Sequence, residues 1–140
     1  MMDKVNFHFD IDGENFTSAG EASVKIKKLL REMGFSPEVI RRVSVAMYEG
    51  EINMVIHANG GTADVNVFCD KIEILLADNG PGIANIDLAM QEGYSTAPDN
   101  IRSLGFGAGM GLPNMKRYTD DMKIESEIGK GTTILMTVLV

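Results

Sequence analysis

The segment ILLADNGPGI (residues 74–83) joins an apolar strand to a turn that contains two glycines. Asp78, at the end of this strand, can direct its carboxylate into a pocket. Gly80 and Gly82 can adopt positive φ angles and let the backbone pass close to a ligand. The same composition is also typical of an ordinary turn. The segment therefore predicts a strand that ends in a turn, with a ligand site as one of two interpretations.

A second glycine-rich segment, GFGAGMGL (residues 105–112), leads into a helix that we predict at Leu112–Tyr118. Alternate glycines expose successive backbone N–H groups, and a helix N-terminus adds unpaired donors and the positive end of its dipole. Such an arrangement can hold phosphate groups, although a flexible hinge has a similar composition. The segment does not follow a strand of a βαβ unit and lacks the Lys-Ser/Thr of a P-loop. A Rossmann or P-loop site is therefore not expected.

The longest predicted helix carries a polar face. Glu49, Asn53 and His57 are spaced four residues apart, so they lie on one side of this helix. Carboxylate and amide oxygens suit Mg²⁺ or its waters, although a solvated polar stripe has the same pattern. Glu51 is assigned to such a solvated stripe. A further glycine segment at Gly129–Thr133 is explained by hairpin chemistry alone.

Hydrophobic periodicity gives the element order β-α-α-β-β-loop-α-β-β. Period-two alternation predicts strands at Val5–Ile11, Ala63–Cys69, Ile72–Ala77, Lys123–Ser126 and Thr132–Val140. Capping signals predict helices that begin near Ala19, after the cap Ser18, and at Ser36-Pro37, with a short helix at Ile86–Gln91. Hairpin-joined strands with grouped helices are typical of a two-layer α+β sandwich.

The composition fits one globular domain over residues 1–140, with 44% hydrophobic and 24% charged residues. The net charge of −7, without a basic stripe, argues against nucleic acid and anionic membrane partners. One cysteine, Cys69, and two histidines argue against a zinc site. The chain shows no signal-peptide core and no apolar run near the ~20 residues of a membrane span, so we expect a cytoplasmic protein.

In this order, the four segments resemble the GHKL ATP-binding superfamily of gyrase B, heat-shock chaperones, histidine kinases and MutL. Four motifs are similar to its N box, G1 box, G2 box and final Gly-Thr: Glu49-x-x-x-Asn53, Asp78-x-Gly80-x-Gly82-Ile83, Gly107-x-Gly109-x-Gly111-Leu112 and Gly131-Thr132. The resemblance covers nearly the whole chain. It implies the Bergerat type of α/β sandwich, with a mixed, mostly antiparallel sheet and helices on one face.

The resemblance also implies a role for each motif. Asn53 would hold Mg²⁺, and Glu49 would orient or deprotonate the attacking hydroxyl. Asp78 would accept a hydrogen bond from the adenine amino group, with Thr132 nearby. His57 would either contact the phosphates or simply pack. The remaining ATP-binding positions are Gly80, Gly82 and Ile83 under the adenine and Gly107, Gly109, Gly111 and Leu112 around the phosphates, with a lid over residues 85–106.

Within the superfamily, the chain resembles the small bacterial anti-sigma-factor serine/threonine kinases, and the switch-protein kinases of the general stress pathway most closely. This resemblance implies ATP and Mg²⁺ as cofactors and a kinase that phosphorylates a STAS-type antagonist. The alternative is a nucleotide-gated module that binds a sigma factor or a phosphatase regulator with little chemistry. Relatives include dimers and monomers, so a homodimer is compatible with either interpretation.

Overall fold

The computed structural model describes residues 4–13, 20–58, 60–83, 86, 90 and 111–140, except for the side chain of His57. Several predicted features lie outside these residues. They are the Ser18 cap, most of the lid and of the helix at 86–91, and the glycines Gly107 and Gly109.

The described residues form five strands and three helices. Their order is β1 (Val5–Asp12), α1 (Glu21–Glu32), α2 (Pro37–His57), β2 (Gly60–Val67), β3 (Lys71–Asp78), α3 (Gly111–Arg117), β4 (Asp121–Glu127) and β5 (Gly131–Leu139). The predicted α+β fold is confirmed. Within the described part of the chain, no helix is both long and apolar enough to span a membrane.

The five strands form one sheet in the order β1-β2-β3-β5-β4. All four described pairings are antiparallel. The expected sheet was mixed, but no parallel pair occurs among the described strands. Two of the four pairings are antiparallel by necessity, because β2–β3 and β4–β5 are hairpins.

One face of the sheet packs against the helices and forms the core. Buried residues alternate along the three central strands, as a period-two pattern requires. These residues are Ala63, Val65, Val67, Ile72, Ile74, Leu76, Ile134, Met136 and Val138. The helices contribute Ile26, Leu30, Val43, Met47 and Met115 to the same cluster. Burying an aliphatic side chain of this size stabilises the fold by roughly 1.5–3 kcal/mol, so this interface dominates stability.

Helix α2 approaches the sheet closely at Gly50. A Cβ atom at this buried position would overlap the side chain of Leu76 on β3. A glycine inside a helix costs ~1 kcal/mol relative to alanine, and the close packing offsets this cost. The contact fixes the position of the adjacent Glu49 relative to the sheet.

The connection between α1 and α2 follows the sequence prediction. The N–H of Gly34, at φ +87°, donates to the carbonyl of Arg31, and that of Phe35 donates to Leu30. This is the Schellman pattern, which satisfies the last carbonyls of α1. Ser36 then caps α2, because its hydroxyl accepts from the N–H of Val39 at 3.3 Å.

The N-terminus of α1 corrects one prediction. Glu51 does not belong to a solvated stripe, because it is only 2% exposed. Its carboxylate accepts hydrogen bonds from the N–H groups of Gly20, Ala22 and Ser23 at 2.9, 3.2 and 2.6 Å. Glu51, on α2, therefore caps α1, which begins at Glu21 rather than near Ala19.

Candidate functional site

The end of β3 and the start of β5 meet at one edge of the sheet. Asp78 and Thr132 are directly paired across these antiparallel strands. The Oδ1 atom of Asp78 accepts from the N–H of Gly80 at 2.9 Å and from that of Thr132 at 3.2 Å. Both bonds use the same oxygen, so the Asp78 carboxylate holds the turn with Oδ1, and its Oδ2 atom makes no hydrogen bond to the described residues.

The turn after β3 packs backbone to backbone on the β4–β5 turn. Gly82 has a φ of +81°, and a Cβ atom there would collide with the backbone of Glu127. Gly131 has a φ of +124°, and a Cβ atom there would collide with the backbone of Asp78. The N–H of Gly129 donates to the carbonyl of Pro81 at 2.9 Å. Gly82 and Gly131 are therefore required by neighbouring protein backbone, whatever ligand the turn approaches.

Ser126 on β4 connects the turn after β3 to the start of β5, and it is not among the site residues predicted from the sequence. Its hydroxyl accepts from the N–H of Ile83 at 2.7 Å and lies 2.8 Å from the hydroxyl of Thr132. The predicted site residues Ile83 and Thr132 thus share one hydrogen-bond partner. The signal that could have revealed it is the hairpin register, which places Ser126 opposite Thr132.

Ser126→Ala is expected to lower the free energy of unfolding by about 1–2 kcal/mol, because the half-buried N–H of Ile83 loses its acceptor. It should also weaken the binding of Mg-ATP, because the hydroxyl of Thr132 loses its partner on Ser126. Urea denaturation and calorimetry measure the two effects. Ser44→Ala is the matched control, since that hydroxyl bonds only to carbonyls of its own helix. Equal stabilities for the two variants would contradict the linking role.

A second group of predicted residues lies where α2 and α3 meet. Glu49 is half-buried, and its Oε1 atom is 3.5 Å from the Nδ2 atom of Asn114 on α3. Burial raises the pKa of Glu49, and the hydrogen bond from Asn114 opposes this shift. The Oε2 atom faces Gly111, where a Cβ atom would lie 3.8 Å away. The last glycine of the second segment thus leaves open space beside the carboxylate of the predicted polar face.

Asn53 follows Glu49 by one turn of α2 and is half-buried. Its amide has no hydrogen-bond partner among the described residues. Leu112, by contrast, is 6% exposed and belongs to the core, where it anchors α3. His57 is the last residue of α2.

Helix α2 carries Glu49 and Asn53 and ends beside the turn after β3, where two cavities lie. A cavity of about 810 Å³ is lined by the C-terminal end of α2, the start of β2 and the turn Asn79–Pro81. A second cavity of about 470 Å³ is lined by Asp78, Ser126 and Thr132 among others. Ala58 packs against Gly80, and Asn53 lies five residues before it, or ~7.5 Å along the helix axis.

These residues fit the Mg²⁺ and ATP that the sequence implies. The side-chain oxygen of Asn53 is a hard donor, and the Asn53 amide is not engaged elsewhere in the described structure. No three His, Cys, Asp or Glu side chains of the described residues cluster as a metal site. Mg²⁺ does not require such a cage, because it is usually bound by one or two side chains together with phosphates and water.

Comparison with known proteins identifies similar sequences. Residues 15–138 match the family described as the histidine kinase-like ATPase domain. The anti-sigma F factor of Clostridium acetobutylicum is 37% identical over 120 residues, which are 82% of this chain and 80% of the relative. The serine/threonine-protein kinase RsbT of Bacillus subtilis is 30% identical over 112 residues, which are 77% of this chain and 78% of the relative.

Solved structures show the same fold. The RsbU and RsbW domains of a Mycobacterium tuberculosis protein match 96% of this chain with a TM-score of 0.65 and 18% identity, and this chain spans 32% of that one. The mycobacterial sensor histidine kinase MprB matches 96% of this chain and 97% of its own with a TM-score of 0.52 and 17% identity.

Proposed function

The chain belongs to the histidine kinase-like ATPase domain family, and from this premise we propose that it transfers the γ-phosphoryl group of Mg-ATP to a protein hydroxyl. The resemblance found in the four sequence motifs is confirmed by this family match and by the relatives. The observation that carries the proposal is the pair Glu49 and Asn53. Both lie half-buried on one face of α2, and α3 contacts the Glu49 carboxylate.

In this proposal the residues divide by what they contact. Asp78 Oδ2 accepts from the adenine amino group, with Thr132 beside it and the turn of Gly80, Gly82 and Ile83 below. Asn53 holds the metal, and Gly107, Gly109 and Gly111 hold the phosphates. Mg²⁺ supplies charge neutralisation on the phosphate oxygens, which matters because phosphoryl transfer depends mainly on positioning and electrostatic stabilisation. Glu49 accepts the proton of the attacking hydroxyl.

The acceptor in this proposal is a serine or threonine of a STAS-type antagonist, in a pathway that controls a sigma factor or a stress response. Relatives named as an anti-sigma F factor and as a serine/threonine-protein kinase support a regulatory kinase family.

Asp78→Asn tests the nucleotide part of the proposal. The Oδ1 atom that accepts from Gly80 and Thr132 is retained in asparagine, so the turn should persist. The second oxygen becomes an NH₂ group, which cannot accept from adenine. We expect Mg-ATP affinity to fall about 10- to 100-fold, as for the loss of one hydrogen bond to a charged group.

Calorimetric titration with Mg-ATP measures this loss. Asp70→Asn is the matched control, because it makes the same charge change in the exposed turn before β3, at the opposite end of the strand. An Asp78→Asn protein that binds Mg-ATP as tightly as the wild type contradicts the adenine-binding role. A wild-type protein that gives no heat with Mg-ATP contradicts the proposed function as a whole.

A nucleotide-gated binding module is the second candidate, and the name of the anti-sigma F factor relative favours it. Both candidates require the same nucleotide site but differ in the fate of the γ-phosphate. Incubation with γ-labelled ATP and a candidate partner separates them. Transfer of label to the partner supports the kinase, whereas a stoichiometric complex without label transfer supports the module.

A further inference from the structure

The first turn of α3 lies against the carboxylate of Glu49. Asn114 Nδ2 is 3.5 Å from Oε1, and Gly111 faces Oε2. The carboxylate of the proposed catalytic group therefore has a hydrogen-bond partner on α3. Asn114 was not among the site residues predicted from the sequence, because it lies two residues beyond Leu112, the last residue of the second glycine segment.

Arg117 determines which way the Asn114 amide points. Its Nη1 atom donates to Asn114 Oδ1 at 3.4 Å. A guanidinium group can only donate, so the amide oxygen must face Arg117. The amide NH₂ group must then face Glu49, which can accept. Arg117, Asn114 and Glu49 thus form a relay with one direction of hydrogen-bond donation.

The backbone that carries Asn114 is anchored on both sides. Leu112 and Met115 are 6% and 0% exposed and pack in the core. After the helix, Arg42 of α2 donates to the carbonyl of Tyr118 at 3.2 Å and to Asp120 at 2.6 Å. The backbone at Asn114 therefore keeps its distance from Glu49 as long as α3 stays packed on α2.

The ionised state of the Glu49 carboxyl group depends on the hydrogen bond from Asn114. Burial raises its pKa, and the hydrogen bond with Asn114 opposes this shift. A protonated carboxyl group cannot accept the proton of an attacking hydroxyl. Among the described charged groups of α2 and α3, Glu51 bonds to the N-terminus of α1, and Arg117 reaches Glu49 through Asn114.

We propose that Asn114 is a positioning residue that orients the Glu49 carboxylate for proton acceptance, and that Arg117 in turn orients Asn114. The proposal rests on the proposed function of Glu49 and adds two residues to it. As a consequence, phosphoryl transfer depends on the contact between α2 and α3, and therefore on residues that would not touch the nucleotide.

The test begins with the ligand-free protein. Carbon NMR of the glutamate carboxyl groups follows the titration of Glu49, whose signal is assigned by its loss in Glu49→Gln. Asn114→Ala should shift this titration to higher pH, and Asn114→Asp should shift it further because it adds a like charge. Arg117→Ala should shift it in the same direction. Lys116→Ala, exposed on the same helix, is the matched control and should leave it unchanged.

The second readout is the transfer reaction with γ-labelled Mg-ATP and a STAS-domain acceptor protein. Asn114→Ala should lower kcat about fivefold, the loss of one ordinary hydrogen bond, without changing Mg-ATP affinity. The acid side of its pH profile should move to higher pH.

Two outcomes separate this inference from the proposed function. If Glu49 titrates alike in Asn114→Ala, in Lys116→Ala and in the wild type, the positioning role is overturned even where transfer is intact. If the Glu49 titration shifts as expected but the wild type transfers no phosphate, Asn114 does position Glu49, and the proposed kinase function fails.

Discussion

Replacing Glu49 by Gln should reduce phosphoryl transfer about 10²- to 10⁴-fold, which is the usual contribution of a general base. Glutamine keeps the size of the side chain and can still accept from Asn114 through its carbonyl oxygen. Its neutral amide cannot take up the proton of the attacking hydroxyl. Asn53 and Asp78 are unchanged, so Mg-ATP affinity is expected to stay at the wild-type value.

The measurement combines label transfer from γ-labelled ATP to a STAS-domain acceptor with calorimetric titration of Mg-ATP. Glu38→Gln is the matched control, because Glu38 is exposed in the first turn of the same helix. It should leave both transfer and affinity unchanged. Equal transfer by Glu49→Gln and the wild type would exclude Glu49 as the base.

The pH dependence of transfer gives an independent check on Glu49. Burial raises the pKa of this carboxyl group, opposed by the bond from Asn114. A base acts only when ionised, so the wild-type rate should fall as the pH decreases through that raised value. The residual rate of Glu49→Gln should lack this fall, since the titrating group is gone.

The part of the site at the end of β3 and the start of β5 could be predicted, because the residues that indicate it are neighbours in the sequence. Asp78 follows an apolar strand directly, and Gly82 and Gly131 lie at turns whose φ angles are +81° and +124°. Period-two alternation likewise placed all five strands. The observed bounds differ most at β2, which begins at Gly60 rather than Ala63 because Gly60 and Gly61 pair with Asp12 and Ile11 of β1.

Contacts between distant segments could not be predicted in the same way. Ser126 and Asn114 act on residues 43 and 65 positions away. Glu51 was misassigned to a solvated stripe because its partners are N–H groups 28–31 residues away, at the start of α1. A signal was nevertheless present, since Met47, Met54 and Val55 lie on the same face of α2 as Glu51 and are all buried.

Glu51→Ala is expected to lower the free energy of unfolding by about 3–5 kcal/mol, a large part of a typical domain's stability. The carboxylate is 2% exposed and satisfies three N–H groups at the start of α1. The residue before α1 is Gly20, which has no side chain that could accept these hydrogen bonds in place of Glu51. Urea denaturation measures the loss, and an unchanged m-value would show that the same surface is exposed on unfolding.

Two further variants separate capping from general charge effects at Glu51. Glu21→Ala removes an exposed carboxylate in the first turn of α1, so it loses only a dipole interaction of about 0.3–1 kcal/mol. Glu51→Gln keeps one acceptor and should fall between the two alanine variants. If Glu51→Ala is no less stable than Glu21→Ala, Glu51 does not hold α1 to α2.

The pH dependence of stability follows from the environment of Glu51. Burial raises its pKa above the ordinary value of 4.5, against the opposing hydrogen bonds from Ser23, Gly20 and Ala22. The folded state therefore binds this proton more tightly than the unfolded state does. The resulting stabilisation is complete below pH 4.5 and is lost as the pH rises through the folded-state pKa. The stability of the wild type relative to Glu51→Gln should thus increase as the pH is lowered across that interval, and the opposite trend would mean that the ionised form is preferred.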